Sequence, residues 1–210
     1  MSRSQTSEEG SIKQDQIVEA AIKRFSHFGI NKTTLAEIAD DTGISKPSLF
    51  YYFDDKKSLL EAVVCKIINE FLAVSEGVFK AANSLDEGLL KFIEVKRQYF
   101  KKYSLLALQA DSLEMHKMSP QLLEAIGIAH TRTEQLLSDL LERGIKQNDI
   151  RAIDARKTSR LLLETLRAFE YGIKHRTCLV KGEDIDTLFD KQKEVIELFL
   201  NGLNTQRPTN

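Results

Sequence analysis

Turn-making residues are scarce in this chain, with 3 Pro and 10 Gly among 210 residues. A sandwich or barrel of many short strands needs them often, so that class is disfavoured and long helices are favoured. Cysteine is scarcer still. Cys65 and Cys178 stand far apart with no CxxC spacing, which argues against a disulfide framework or a zinc site. They read as small hydrophobes of a reduced cytosol. No apolar run approaches the roughly 18 residues of a membrane span. The start, with Arg3, Glu8 and Glu9, lacks the apolar stretch of a secretory signal. The expectation is a soluble, cytoplasmic protein with no membrane partner. Excess charge is missing too: 30 Lys and Arg against 31 Asp and Glu give a net charge of -1. A bulk polycation is excluded, whereas a local nucleic-acid site is not.

What remains is ordinary for a folded protein, 42% apolar and 29% charged. The length suits one large domain or two small ones, with room for a sizeable core. Residues 1 to about 11 are polar and are expected to fray. Beyond them the dominant signal is helical period. Ile17, Ala20, Ala21, Arg24, Phe25 and Phe28 recur at i, i+3, i+4, and Gly29 closes the segment. Thr33 or Thr34 can cap a short second helix with Leu35, Ile38 and Ala39 inside, ended by Gly43. Ser45 caps a short third helix with Pro47 in its first turn. Asp54 or Asp55 caps a long fourth helix whose apolar pairs run from Leu59 and Leu60 to Phe71 and Leu72. Five more helices are predicted at roughly 84–102, 104–116, 119–147, 154–176 and 184–203. Their candidate caps are Ser84, Ser104, Ser119, Asp154 and Asp184. The texture changes near residue 55, from short helices with tight turns to long amphipathic ones.

The fold class read from this is all-α. An N-terminal three-helix helix-turn-helix domain spans residues 1–55, and a C-terminal helical bundle spans 56–210. Thr34–Thr42, the turn Gly43-Ile44-Ser45 and Lys46–Tyr52 form the helix-turn-helix. Ile38, Ala39, Ile44 and Leu49 have the spacing to fix the crossing of its two helices. The second presents Lys46, Ser48, Phe50, Tyr51 and Tyr52, a cation, a hydroxyl and aromatics suited to a DNA groove and its phosphates. The alternative is a helical protein-interaction module whose hairpin only packs.

The stretch from Ile17 to Val64 resembles the DNA-binding domain of the TetR family of transcriptional repressors. The resemblance rests on Ala20, Ala21, Phe25 and Gly29, the paired Thr33-Thr34, and the Ile38-Ala39 step. It continues through Gly43-Ile44-Ser45, Ser48 to Phe53, and Asp55-Lys56-Lys57-Ser58-Leu59-Leu60. It implies a homodimer that grips a pseudo-palindromic double-stranded DNA operator. It also implies a C-terminal pocket for a small apolar or amphipathic effector, whose binding releases the DNA. By the same resemblance Thr33 or Thr34 would touch phosphate. Lys46, Pro47 and Ser48 would face the major groove, and Pro47 could meet a thymine methyl. Tyr51 and Tyr52 would reach backbone or base edges, and Lys56 would pair with phosphate. Phe50 stands where many members carry Tyr, so it either packs or meets a base methyl. Tyr52 stands where many carry His. The awkward feature is charge. Residues 1–57 hold eight Lys and Arg against nine Asp and Glu, where a strong DNA binder shows a basic face.

Later residues carry weaker signals. His27, His116, His130 and His175 show no metal-ligand spacing. No Gly-rich phosphate loop, GxSxG or HExxH occurs, and no nucleophile and base can be paired. The expectation is a protein that is not an enzyme and carries no cofactor or metal. Phe92, Tyr99, Tyr103, Met115, Met118, Phe169 and His175 are the expected lining of an effector pocket. Leu162, Leu166 and Phe169 form one apolar stripe with Leu161, and Leu163 lies on another face. Leu188, Val195, Ile196, Phe199 and Leu200 form a second stripe. Both are expected to meet their copies in a four-helix dimer interface, although packing inside one chain gives the same pattern.

Overall fold

A computed structural model of the protein describes residues 3–104, 106, 118–174 and 185–204. Among them are eight helices and no strand. They are α1 (Arg3–Phe28), α2 (Leu35–Asp41), α3 (Lys46–Tyr52), α4 (Lys56–Ala81), α5 (Leu85–Lys102), α6 (Pro120–Lys146), α7 (Ala155–Lys174) and α8 (Ile185–Leu203). The chain divides into two compact units, Met1–Ile68 with Lys102–Ile126, and Asn69–Lys101 with Gly127–Asn210. The long helix α4 contributes residues to both.

In the first unit, the buried faces are those the periodicity marks. Ile17, Ala21 and Phe25 of α1, Ile38 and Ala39 of α2, Leu49 of α3, and Leu59, Leu60 and Val63 of α4 are all buried. Two expectations are corrected. The first helix begins at Arg3, so residues 3–11 extend it rather than fray. Phe28 is 53% exposed and belongs to the surface of α1, not its inner stripe.

The second unit is built on one hydrophobic cluster. It joins Phe79 of α4, Leu89, Phe92 and Ile93 of α5, and Leu137, Leu140 and Leu141 of α6 to residues of α7 and α8. Aromatic rings fill its centre: Phe79 and Phe92 lie 4.9 Å apart and Phe71 and Phe92 6.0 Å. Arg143 donates to Phe79 O at 2.7 Å. It thereby satisfies a carbonyl that the end of α4 leaves without an intrahelical partner. Ser84, Ser119 and Asp154 cap as expected, accepting from the backbone N–H of Glu87, Leu122 and Lys157. The predicted helix 104–116, apart from residues 104 and 106, and the Asp184 cap lie outside the described residues.

The largest correction concerns the last two helices. Leu162 and Leu166 of α7 and Leu188, Ile196 and Leu200 of α8 are buried within this single chain. They are its own core, not a face left for a second copy. Leu163 is buried as well. The apolar side chains that stay outside are Leu161, 63% exposed, and Leu198, 71% exposed. Phe169, Val195 and Phe199 are half-buried. A broad apolar stripe reports that a helix is covered, and the covering here is intramolecular.

Candidate nucleic-acid interface

The helix-turn-helix is set by local chemistry. Thr34 caps α2 in a reciprocal box: Glu37 N–H donates to Thr34 Oγ1, and Thr34 N–H donates to Glu37 Oε2 at 2.8 Å. Two unpaired N–H groups of the first turn are satisfied together. The helix ends where Gly43 takes a φ of 63°, a conformation that costs a residue with a Cβ. Ile44 N–H then donates to Ala39 O at 3.0 Å. Ser45 caps α3 by accepting from Ser48 N–H at 3.2 Å, and Pro47 fills the first turn without losing a bond. Leu49 is the buried anchor of α3. With that face fixed inward, Lys46, Pro47, Ser48, Phe50 and Tyr51 are exposed and Tyr52 is half-buried.

Tyr51 is 85% exposed and packs edge-on against Tyr52 at 5.3 Å. Phe50 is 41% exposed, with the Lys46 ammonium 6.0 Å from its ring centre. Asp55 caps α4, accepting from Ser58 N–H at 2.7 Å, which puts Lys56 in the first turn.

The two threonines separate. Thr33 is 2% exposed and its hydroxyl donates to Gly29 O at 2.9 Å, so it is not available to phosphate. Thr34 is at the surface, but its hydroxyl already donates to Glu37 Oε2 and accepts from Glu37 N–H. Spacing alone makes the two threonines equivalent; the fold spends both hydroxyls on itself.

Internal pairing eases the charge problem. Arg24 of α1 holds Asp41 and Glu37 of α2, with Nη2 to Asp41 Oδ1 at 2.9 Å and Nη1 to Glu37 Oε1 at 3.3 Å. Its hydrogen bond keeps the Asp41 carboxyl below the usual carboxylate range. The Glu37 carboxyl is lowered chiefly by the Thr34 N–H. Lys66 of α4 pairs with Glu19 at 3.0 Å and Asp15 at 3.5 Å. Four of the nine acids are thus held in ion pairs inside the unit, shared between two cations, of which Lys66 lies outside residues 1–57. Among the described residues, Lys32, Lys46 and Lys56 join no ion pair.

Two residues here escaped the sequence reading. Arg24 recurs with the apolar stripe of α1, and a cation at such a position is the signal for a clamp. Glu61 is a buried carboxylate of α4. It accepts from Ser119 N–H at 3.1 Å and faces Lys57 at 3.8 Å. Nothing in its spacing announces that contact.

The expected effector lining is divided. Tyr103 and Met118 belong to the first unit, and Phe92, Tyr99 and Phe169 to the second. Met115 and His175 lie outside the described residues. Tyr99 meets Phe71 edge-on at 5.3 Å. One cleft of about 710 Å³ lies against α1 and the end of α2, walled by Asp15, Glu19, Lys23 and Thr42 among others. Two smaller clefts, of about 220 and 280 Å³, are walled by residues of the second unit. None of the three takes a wall from the expected lining.

A capped helix pair with its second helix open to solvent, carried by a helical remainder, is the architecture of a helix-turn-helix transcriptional regulator. Residues 17–63 match the family described as bacterial regulatory proteins, tetR family. The chain is 36% identical over 92 residues to the HTH-type transcriptional regulator RutR of Escherichia coli K12, covering 42% of this chain and 43% of RutR. It is 35% identical over 100 residues to the icaADBC negative regulator IcaR of Staphylococcus aureus, covering 44% of this chain and 53% of IcaR. These matches span about half or less of each relative. Across the whole fold, a crystal structure of a transcriptional regulator from Cytophaga hutchinsonii superposes with a TM-score of 0.77 at 26% identity, covering 91% of this chain and 98% of that one. A TetR-family regulator from Pectobacterium atrosepticum gives 0.73 at 20% identity, covering 99% and 100%. Residues 17–63 thus carry the DNA-binding domain of the bacterial tetR regulatory family, and the whole fold is similar to that of solved transcriptional regulators.

Proposed function

We propose that this regulator is a homodimeric repressor that sits on a pseudo-palindromic operator and leaves it when a small molecule binds. The observation that carries the reading is α3, anchored by Leu49 and open to solvent through Lys46, Pro47, Ser48 and Tyr51. Residues 1–55 read DNA, and residues 56–210 bind the effector and dimerise. The repressor sign is supported by IcaR, whose name describes a negative regulator. Lys46, Pro47 and Ser48 face the major groove, Tyr51 and Tyr52 the groove edge, and Lys56 a phosphate. The second copy docks on the outer faces of α7 and α8 around Leu161 and Leu198, because the inner stripes are already used. The effector is apolar or amphipathic.

Release requires the effector to bind the DNA-incompetent state more tightly. By linkage, operator must then weaken effector binding by the same factor. The test begins with ligand that co-purifies with the full-length protein, identified by mass spectrometry. Titrating it with and without operator should give weaker binding on DNA. Equal or tighter binding on DNA overturns release.

The phosphate role has its own test. Lys56→Ala should weaken specific and random duplexes alike, because a phosphate contact carries no sequence information. The slope of log affinity against log salt should fall by about one. A changed base preference with an unchanged slope removes Lys56 from the backbone.

A further inference from the structure

Polar groups of the second unit gather at one turn of α7. Lys96 of α5 pairs with Glu170 of α7, and the lysine side chain is only 11% exposed. The same ammonium stands 5.5 Å from the centre of the Phe92 ring. Gln192 of α8 has no exposed surface, and its Nε2 donates to Leu166 O at 2.8 Å. That carbonyl is the one the Glu170 N–H bonds in the helical ladder. Gln192 therefore lies against the turn that carries Arg167 and Glu170. Its Oε1 has no donor among the described residues, and a polar guest at this turn accounts for so costly an amide in the core. His130 of α6 stands within electrostatic reach of the same turn, with its ring open to solvent on one side. Partial desolvation pushes its imidazole below the ordinary range; the Arg167 charge adds to this, Glu170 opposes it, and Lys96 lowers it further. The imidazole is neutral at neutral pH.

Four helices thus each bring a polar group to one place, beside an aromatic cluster. Phe71 lies 6.0 Å from Phe92 and 5.3 Å from Tyr99. Apolar walls with a few convergent polar groups are the makings of a small-molecule site. The charges there do not cancel. Lys96 and Glu170 neutralise each other, and His130 is uncharged. Arg167 is half-buried and makes no ion pair or hydrogen bond among the described residues. One positive charge is left, on the side chain whose planar fork holds a carboxylate through two parallel bonds.

We propose that this turn is the polar end of the effector site, that Arg167 clamps a carboxylate there, and that the effector is a carboxylic acid whose apolar body lies on the Phe71, Phe92 and Tyr99 rings. The inference rests on the effector-binding reading of residues 56–210 and fixes the chemistry of that effector.

The test needs no DNA at first. Full-length protein is melted with arylacetates and with straight-chain acids from butanoate to decanoate, each beside its primary amide. Acids should raise the melting temperature and their amides should not. Arg167→Gln should melt like the parent protein when free, because Arg167 bonds nothing in the fold. It should bind the best acid about tenfold to a hundredfold more weakly, the worth of a charge-assisted bond. Arg167→Lys should recover part of that loss, since it restores the charge without the fork. Amides that bind as well as acids overturn the inference. So do acids that bind Arg167→Gln as well as the parent, or a series in which nothing binds. The best acid is then titrated against operator. An acid that binds through Arg167 and leaves operator affinity unchanged sinks the release reading and upholds this inference. A neutral co-purified compound that frees the operator upholds release and overturns this inference.

Discussion

The two units are specified by different kinds of residue. In the first, structure is set within a few positions along the chain: Thr34 with Glu37, Gly43 at a positive φ, Ser45 with Ser48, Asp55 with Ser58. In the second, long amphipathic helices of 18 to 27 residues meet through wide apolar faces. Local devices say where a helix starts and stops. Wide apolar faces say only that something covers them. The first unit can therefore be broken by changing one backbone conformation. The second can be broken only by changing what lies against what.

The sharpest test of that difference uses two leucines of α8. Leu200 is buried and Leu198 is 71% exposed. Leu200→Asp places an unpaired carboxylate in an apolar core, at a cost of several kcal/mol. That is comparable with the whole stability of a typical domain, about 5–15 kcal/mol. Insoluble or unfolded chain is expected. Leu198→Asp touches no core, so the protomer should keep its melting behaviour, as surface substitutions stay within about 0.5 kcal/mol. If the outer faces of α7 and α8 form the dimer, Leu198→Asp should sediment as a folded monomer. An intact Leu198→Asp dimer moves the interface away from this face.

This pair also shows where the sequence stopped being informative. The apolar period marks Leu162, Leu166, Ile196 and Leu200 as covered, which is correct, but it carries no information on whether the cover is the same chain or another. Leu161 and Leu163 were assigned to the wrong sides, because three consecutive leucines leave the phase of the stripe ambiguous. The N-terminal extension of α1 was missed for the opposite reason: residues 3–11 have no apolar period to read. In the first unit the rules are short-range, and Ser45, Gly43 and Leu49 stand as expected. The exception is Thr33-Thr34, where two adjacent residues satisfy the same capping rule and only burial separates them. The exposed face of α3 was legible once Leu49 fixed the helix. The ion pairs of Arg24 and the contact of Glu61 with Ser119 were not, since both join positions far apart in sequence.

A smaller effect should change sign between the units. Gly43 has a φ of 63°, and a Cβ there would meet nothing within 4 Å. The strain of Gly43→Ala is thus conformational alone, about 1–2 kcal/mol of destabilisation. Gly127 lies within α6, and a Cβ there also meets nothing within 4 Å. Gly127→Ala removes the entropy penalty of glycine inside a helix and should stabilise by about 0.5–1 kcal/mol. Urea midpoints of the two variants should move in opposite directions. A loss at Gly127 would mean that its face is covered in the assembled protein.

The smallest expected effect is on pH, where both units use the same device. Glu37 reaches back to the N–H of its own helix cap, Thr34, and this bond is the main cause of its lowered pKa. Glu87 of α5 reaches back to Asn83 N–H and also bonds Lys91; its pKa falls from 4.5 to about 2, with the Lys91 bond the larger cause. A carboxylate whose folded pKa is depressed stabilises fully above its unfolded value, and that contribution is lost as pH falls through the folded value. For Glu87 the window runs from about 4.5 down to about 2. Both residues are half-buried at the surface and reached by solvent, so screening keeps the contribution small. The local account of the first unit makes Glu37 the more consequential of the two, since it also holds Arg24. Glu37→Gln and Glu87→Gln should each flatten the acid limb of stability against pH, and neither should alter its neutral limb beyond the loss of the charge. Carboxyl carbon resonances should titrate below the ordinary glutamate range at both positions, lower at Glu87. DNA binding at neutral pH should weaken in Glu37→Gln and not in Glu87→Gln, because only Glu37 belongs to the helix pair that sets α3. Equal weakening in both would show that α3 is positioned from the second unit as much as from its own caps.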